Sequence, residues 1–447
     1  HPTPSLQAQA SSFDTHHPPE RELLEDCVHC GFCLPACPTW RLWGEEMDSP
    51  RGRIYMMQKA SQAEAPLDTA FGTHMDRCLG CMACMTACPS GVQYGRLIED
   101  ARGQVERNVP RTAGDRIFRR MLFAIFPHPW RLRLLAVPML VYQRSGLQRL
   151  MRASGLLRLL PKRFEAMEGL LPRVPSKLFQ QLPEVVAATN RRRRVGMLSG
   201  CVQQVFFQRV NQATARVLAA EGCEIVIPRG QPCCGALMVH SGVDATQMAQ
   251  RMIEAFEEAD VDTIVINAAG CGSTMKEYGH LLRDDPVWSE RAAAFSRKCR
   301  DVAEVLAEMP AQASRHPLPL RVAYHDACHL RHAQSIWEQP RELLKAVPAL
   351  EVLEIEEGHV CCGSAGVYNL LQPEAAAELG NRKTGHLLAT GAQAVVSANP
   401  GCLLQLERGI RERGAASIPT FHLVEVLDAS IRQVSVEELM RERQRSA

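Results

Sequence analysis

Apolar runs long enough to span a bilayer are missing from the basic middle of this 447-residue chain. Those at residues 121–130 and 134–143 are ten residues each, against the ~20 that a spanning helix needs. A secretory leader is missing as well. Residues 1–26 are polar and rich in His, Pro and Glu, with no apolar core and no small-residue cleavage site. The chain opens on His1 and not on Met, so its true start is expected upstream. No G-x-G-x-x-G fingerprint lies on a strand-to-helix turn, which argues against FAD or NAD bound within the chain. No Ser-His-Asp or paired-carboxylate constellation stands out, so the hard chemistry is expected on a partner. The basic run 191–194 lacks interleaved aromatics and reads as a solvated linker end, with no nucleic-acid binding expected.

What the sequence has in abundance is cysteine, 18 residues in all. In a long chain, with metal-ligand spacings, this composition points to a reducing, cytoplasmic setting and away from a disulfide scaffold. Two runs are spelled almost identically: Cys27-x2-Cys30-x2-Cys33-x3-Cys37-Pro38 and Cys78-x2-Cys81-x2-Cys84-x3-Cys88-Pro89. This is the spacing of a pair of [4Fe-4S] clusters, in which the fourth Cys of each run ligates the other cluster. One cluster then takes Cys27, Cys30, Cys33 and Cys88, and the other Cys78, Cys81, Cys84 and Cys37. Paired zinc sites would have no use for the third Cys and the Pro.

The formal net charge of +2 hides an uneven distribution: residues 111–194 carry 18 Lys and Arg against 4 Asp and Glu. This Leu-rich, basic, helix-period stretch, with Trp130 and Tyr142, fits a segment lying on an anionic membrane surface. It fits packing against a partner or against the chain's own domains equally well.

From residue 195 the texture becomes alternating strand and helix. Residues 195–199 (VGMLS), 224–227 (EIVI) and 261–267 (VDTIVIN) read as strands, with helices over 208–220 and 245–259. About 130 residues on, 321–324 (RVAY), 350–355 (LEVLEI) and 393–398 (QAVVSA) repeat the pattern, so two homologous lobes with parallel sheets are expected. Cysteines recur at matching points: Cys201, Cys233, Cys234 and Cys271 in one lobe, Cys328, Cys361, Cys362 and Cys402 in the other. The first and last of each set fall after a strand and before a helix, where open sheets bind ligands and where a thiol pKa is expected to be depressed. Each set suits a metal or a further cluster, whereas Cys223 and Cys299 read as small buried hydrophobes. His325, His329 and His332 flank Cys328 as ligands, proton donors or hydrogen-bonding neighbours.

Taken together, the tandem cysteine motifs, the intervening Pro50-Arg51-Gly52-Arg53 and the two Cys-Cys-Gly lobes resemble the glycolate oxidase iron-sulfur subunit family, within the wider heterodisulfide-reductase-like group. The resemblance runs from about Asp26 to the C-terminus. It is most specific at Cys27-Val28-His29-Cys30-Gly31-Phe32-Cys33, Ser199-Gly200-Cys201, Gly270-Cys271-Gly272 with Lys276-Glu277-Tyr278-Gly279, and Cys361-Cys362-Gly363-Ser364-Ala365-Gly366. It implies an α+β multidomain chain: a mainly helical two-cluster ferredoxin-type domain (1–110), a basic amphipathic helical linker (111–194), and two α/β CCG lobes (195–310 and 311–447). It also implies FAD-binding partner subunits that oxidise glycolate to glyoxylate, while this chain carries electrons to a quinone-type acceptor near the cytoplasmic face of the inner membrane. Lactate or glycerol 3-phosphate oxidation is the alternative of the same class. Disulfide reduction and a structural zinc protein are alternatives of other classes. One departure bears on disulfide reduction: in the wider group each lobe ends in C-x-x-C, whereas here the ends read Cys271-Gly272-Ser273-Thr274 and Cys402-Leu403-Leu404-Gln405. With that fifth Cys absent, four cysteines per lobe suit an ordinary [4Fe-4S] cluster, a zinc ion, or no metal.

Overall fold

The computed structural model describes residues 11–175, 177–188 and 190–445, so the first ten residues of the polar leader and the last two of the second lobe lie outside it. The chain divides into two compact units, His1–Arg119 with Leu237–Asp244, and Arg120–Ala236 with Ala245–Ala447.

The first unit is helical, and its helices start where the cysteine motifs end. Pro38 follows Cys37 and opens the helix Pro38–Trp43; Pro50 opens Pro50–Ser61 behind Ser49, whose Oγ accepts from the Gly52 N–H at 3.0 Å. Proline suits the first helical position because the N–H it lacks would be unpaired there anyway. Asp68 caps Thr69–Arg77 through the Phe71 N–H. The helix Tyr94–Asn108 turns Leu97, Ile98, Ala101 and Val105 inward, at the spacing of one helical face, and packs against Pro50–Ser61 and Thr69–Arg77, where Met57, Phe71 and Met75 are buried. Residues 237–244 complete the unit. His240 Nδ1 meets Glu99 Oε1 at 2.8 Å, and a Cβ on Gly242 would fall 2.3 Å from the Arg102 backbone, so only glycine fits this approach.

The second unit holds two sheets. In the first, β1 (Val185–Val186), β2 (Arg193–Met197), β3 (Cys223–Val226), β4 (Ile264–Ile266) and β5 (Cys299–Asp301) lie in the order β1-β3-β2-β4-β5, parallel except for the β1 edge. In the second, β6 (Arg321–His325), β7 (Glu351–Glu354), β8 (Ala394–Ser397) and β9 (Thr420–His422) are all parallel in the order β7-β6-β8-β9. Apart from β1 the two orders are the same, so the repeat read from the sequence is a repeat of topology. The molecule is an α+β multidomain protein, with a helical ferredoxin-like part followed by parallel-sheet lobes.

The six anticipated strands form with ends shifted by one to three residues, and the helix Gln208–Ala220 falls where its periodicity puts it. The sequence reading missed β1, β5 and β9. Each is two or three residues long, too short to show a period of two, and β5 reads Cys-Arg-Asp. Cys223 and Cys299 are fully buried on β3 and β5, as small hydrophobes would be. The basic middle region forms the helices Ala113–Ile125, Pro129–Arg144, Leu147–Ala153 and Lys162–Gly169. Among the described residues no helix is long and apolar enough to cross a membrane.

Candidate functional site

Both cysteine motifs of the first unit fold onto the same backbone. Left-handed residues stand two and four places after the first Cys in each: His29 and Gly31 in one, Gly80 and Met82 in the other. Such alternation turns successive N–H groups into a concavity that suits anions and iron-sulfur sites, and Gly80 N–H donates to Cys78 Sγ at 3.3 Å. Cys27, Cys30 and Cys33 line one cavity with Cys88, which stands far from them in sequence, and with Arg51, Ile54, Tyr94 and Cys84. It opens to solvent. This set lies near the surface: Cys30 is exposed, the other three half-buried.

The remaining four, Cys37, Cys78, Cys81 and Cys84, are buried. Burial and its neighbours Cys81, Cys78 and Cys37 push the Cys84 thiol far up, which is the cost of crowding uncompensated sulfur in the interior. Cys78 goes the other way. Burial opposes its thiolate, but the guanidinium groups of Arg53 and Arg102 outweigh this and hold its pKa down. Tyr94 Oη adds a contact at 3.6 Å, and Thr39 Oγ1 lies 3.2 Å from Cys37 Sγ.

Arg53 is fully buried. It donates to His74 O at 2.7 Å, Thr39 Oγ1 at 3.2 Å and Asp48 Oδ1 at 3.3 Å, and Asp48 also pairs with His74 and Arg77. Arg102 reaches the carbonyls of Cys78, Met75 and His240. Arg51, two residues before Arg53, serves the other set. It forks onto Glu46 at 2.6 and 3.1 Å and donates to His29 O at 3.4 Å. Gly52 between them is obligatory, because a Cβ there would meet Glu46 O at 1.9 Å. The segment Pro50-Arg51-Gly52-Arg53 thus aims one cation at each cysteine set, a role not assigned from the sequence. Thiolates converging in two groups of four, inward N–H groups and buried positive charge together suit anionic iron-sulfur clusters.

In the second unit the repeated cysteines gather at the carboxyl ends of the central strands. Cys201 follows β2 and Cys271 sits in the first turn of Ala269–Lys276 after β4; Cys328 starts the helix Cys328–Arg331 after β6, and Cys402 lies in the first turn of Pro400–Glu412 after β8. Cys201 and Cys233 are 3.4 Å apart. The expectation of depressed thiol pKa values holds for part of the set. Hydrogen bonds from Cys361, with His329 in support, hold Cys328 well below the thiol range, and hydrogen bonds from Cys361, Cys402 and His325 do the same for Cys362. Cys201, Cys361 and Cys402 are instead pushed well up, each by hydrogen bonding with a neighbouring sulfur and by burial. Of the three histidines, His332 Nε2 is engaged by His359 O at 2.9 Å, His329 Nδ1 stands 3.6 Å from Cys328 Sγ, and His325 joins Cys362 and Cys402. Sequence reading also passed over Lys383, buried beside Cys361 and Cys362 and tied to the carbonyls of Glu357 and Gly358.

Comparison with known proteins agrees with this division. Residues 23–92 match the 4Fe-4S dicluster domain, residues 114–171 the linker region of the glycolate oxidase iron-sulfur subunit, and residues 195–276 and 322–407 the cysteine-rich CCG domain. The "Probable glycolate oxidase iron-sulfur subunit" of Bacillus subtilis is 43% identical over 417 residues, covering 91% of this chain and 94% of its own. The "Glycolate oxidase iron-sulfur subunit" of Escherichia coli is 33% identical over 92% of this chain and 95% of its own. "Lactate utilization protein A" of an Exiguobacterium species is 30% identical over 242 residues, covering 54% of this chain and 98% of its own. With two such relatives matched over nearly their whole length, the chain belongs to the family of glycolate oxidase iron-sulfur subunits.

Proposed function

We propose that this chain carries electrons in a flavin-dependent glycolate dehydrogenase complex. In this reading Cys27, Cys30, Cys33 and Cys88 hold one [4Fe-4S] cluster, and Cys78, Cys81, Cys84 and Cys37 hold the other. Clusters of this kind take up and release one electron at a time, which suits a donor flavin that must give up two. FAD on a partner subunit oxidises glycolate to glyoxylate, and a quinone-type acceptor receives the electrons from the clusters. The chain works peripherally on the cytoplasmic face of the inner membrane.

The observation that carries the reading is the contrast between the two cysteine sets. Cys30 is exposed, and Val28 and Phe32 beside it are 68% and 67% exposed. Two bare apolar side chains around the outermost thiol offer a partner a dry contact at the point of electron entry. The inner set is closed off from water, with Arg53 and Arg102 supplying the countercharge.

Cys30→Ser in the co-purified complex tests this. It should abolish one cluster signal in electron paramagnetic resonance and stop glycolate-driven quinone reduction, with flavin reduction intact; continued turnover with quinone would remove the relay. A second reading, lactate as the substrate, draws on the likeness to lactate utilization protein A. Turnover of the native complex on a panel of 2-hydroxy acids separates the two.

A further inference from the structure

The two CCG lobes share a topology but differ at one buried position. In the second lobe His325 closes β6, three residues before Cys328; in the first lobe the residue three before Cys201 is Leu198. Strand register gives the same equivalence. His325 pairs with Ser397, five residues before Cys402, and the Leu198 N–H bonds Val265 O, beside Ile266, five before Cys271. Leu198 and His325 are each 1% exposed. A leucine at this place packs and does nothing more, whereas an imidazole must find a partner. His325 Nδ1 is buried without a hydrogen-bond partner. A ring nitrogen of His325, Cys362 Sγ and Cys402 Sγ all lie within 4.8 Å of one another, in surroundings with no exposed member.

That spacing discriminates between kinds of metal centre. Tetrahedral bonds of about 2.3 Å to sulfur and about 2.0 Å to nitrogen set donors roughly 3.5 to 3.8 Å apart around a single ion. The corner ligands of an iron-sulfur cube are separated by the body of the cube and stand wider. Among the described residues the eight ferredoxin-type cysteines bring no three donors within 4.8 Å, and neither do the first lobe's four.

We propose that the second lobe holds one tetrahedral, zinc-type ion bound by His325, Cys362, Cys402 and a fourth sulfur from the remaining pair, Cys328 and Cys361, while the first lobe, with leucine in place of the imidazole, does not. The inference deepens the functional reading by making the lobes unequal: the second becomes a redox-silent anchor, and electrons leaving the ferredoxin-type clusters bypass it. Asn399 Nδ2, 3.4 Å from Cys402 Sγ, and the ammonium of Lys383 support a thiolate-rich shell from outside.

The test is metal analysis of the full-length protein purified with its partners, joined to X-ray absorption at the zinc edge. Wild type should carry about one zinc beside about eight iron atoms, with both nitrogen and sulfur scatterers around the zinc. His325→Leu, which copies the first lobe, should lower zinc at least about tenfold with iron unchanged, and His325→Cys should restore it. Unchanged iron shows that the variant is folded. Zinc retained in His325→Leu, or an all-sulfur zinc shell, overturns the proposal. About twelve iron atoms and no zinc would also overturn it while leaving the electron-carrying reading intact. Zinc with no iron would sink that reading instead.

Discussion

Two arginines a single residue apart divide the positive charge of the ferredoxin-type unit between its two cysteine sets. Arg53 is bound into a buried array with Asp48, and removing it would take one of three cationic partners from that carboxylate and a donor from the His74 carbonyl. Its role in tuning is therefore hard to separate from its role in folding. Arg51 is 31% exposed and paired with a half-exposed Glu46, so it can be replaced without collapse. Arg51→Gln takes a cation from beside Cys33 and Cys30, which disfavours the added electron. The potential of the outer cluster should fall by on the order of tens of millivolts, read by redox-titrated paramagnetic resonance, with the inner cluster unmoved. Equal shifts in both, or none, would contradict the division. The cysteines themselves stood out in the sequence because their spacing repeats. The arginines were visible only as letters of a motif, since their value depends on side chains they meet after folding, Asp48, Thr39 and the carbonyl of His74.

At the scale of single elements, composition and place in the sheet decided what could be read. Strands of three to five residues with β-branched cores were legible, and short edges such as β5, Cys-Arg-Asp, were not. Yet β5 ends in a working device. Asp301 caps the helix Val302–Glu308, accepting from Ala303 N–H at 2.8 Å, while Glu304 reaches back to the Asp301 N–H. Burial raises its carboxyl to about 7, against the pull of the Ala303 N–H. The folded chain thus keeps this proton where the unfolded chain has lost it. Its contribution is complete below about pH 4 and fades as pH rises through about 7. Asp301→Asn keeps a cap acceptor and removes the titration. Its thermal midpoint should gain on wild type from about pH 4 to about pH 7 and level off above; a constant difference would show that the carboxyl does not titrate there.

The linker helix Pro129–Arg144 is apolar on two sides. Leu132 and Ala136 are buried against Val174, Leu178 and Val205, while Trp130, Leu134, Val137 and Val141 repeat at four-, three- and four-residue steps and are exposed. Arg133, a basic residue of the same stretch, turns inward to Gln204 Oε1 at 2.9 Å. The exposed stripe, beside Arg144 and Arg149, has the make-up of a face that rests on an anionic surface. Leu134→Glu with Val141→Glu should reduce co-sedimentation with anionic vesicles several-fold and leave cluster content unchanged. Unaltered sedimentation would assign the stripe to a partner subunit.

For the whole molecule, the fold follows from two repeats of different kinds: a doubled cysteine motif that folds back on itself, and a doubled α/β lobe with strand order β3-β2-β4-β5 in one copy and β7-β6-β8-β9 in the other. The class of fold was legible because it rests on the spacing of strands and helices. The inequality of the lobes was not, because Leu198 and His325 acquire their meaning only when register sets them in equivalent places. The central claim is the eight-thiolate electron relay. The most direct test is anaerobic redox titration of the full-length protein followed by paramagnetic resonance, with iron and sulfide counted on the same sample. An eight-thiolate relay gives two separate one-electron signals, about eight iron atoms and matching sulfide. A single signal with about four iron atoms, or a silent protein holding zinc alone, would contradict it.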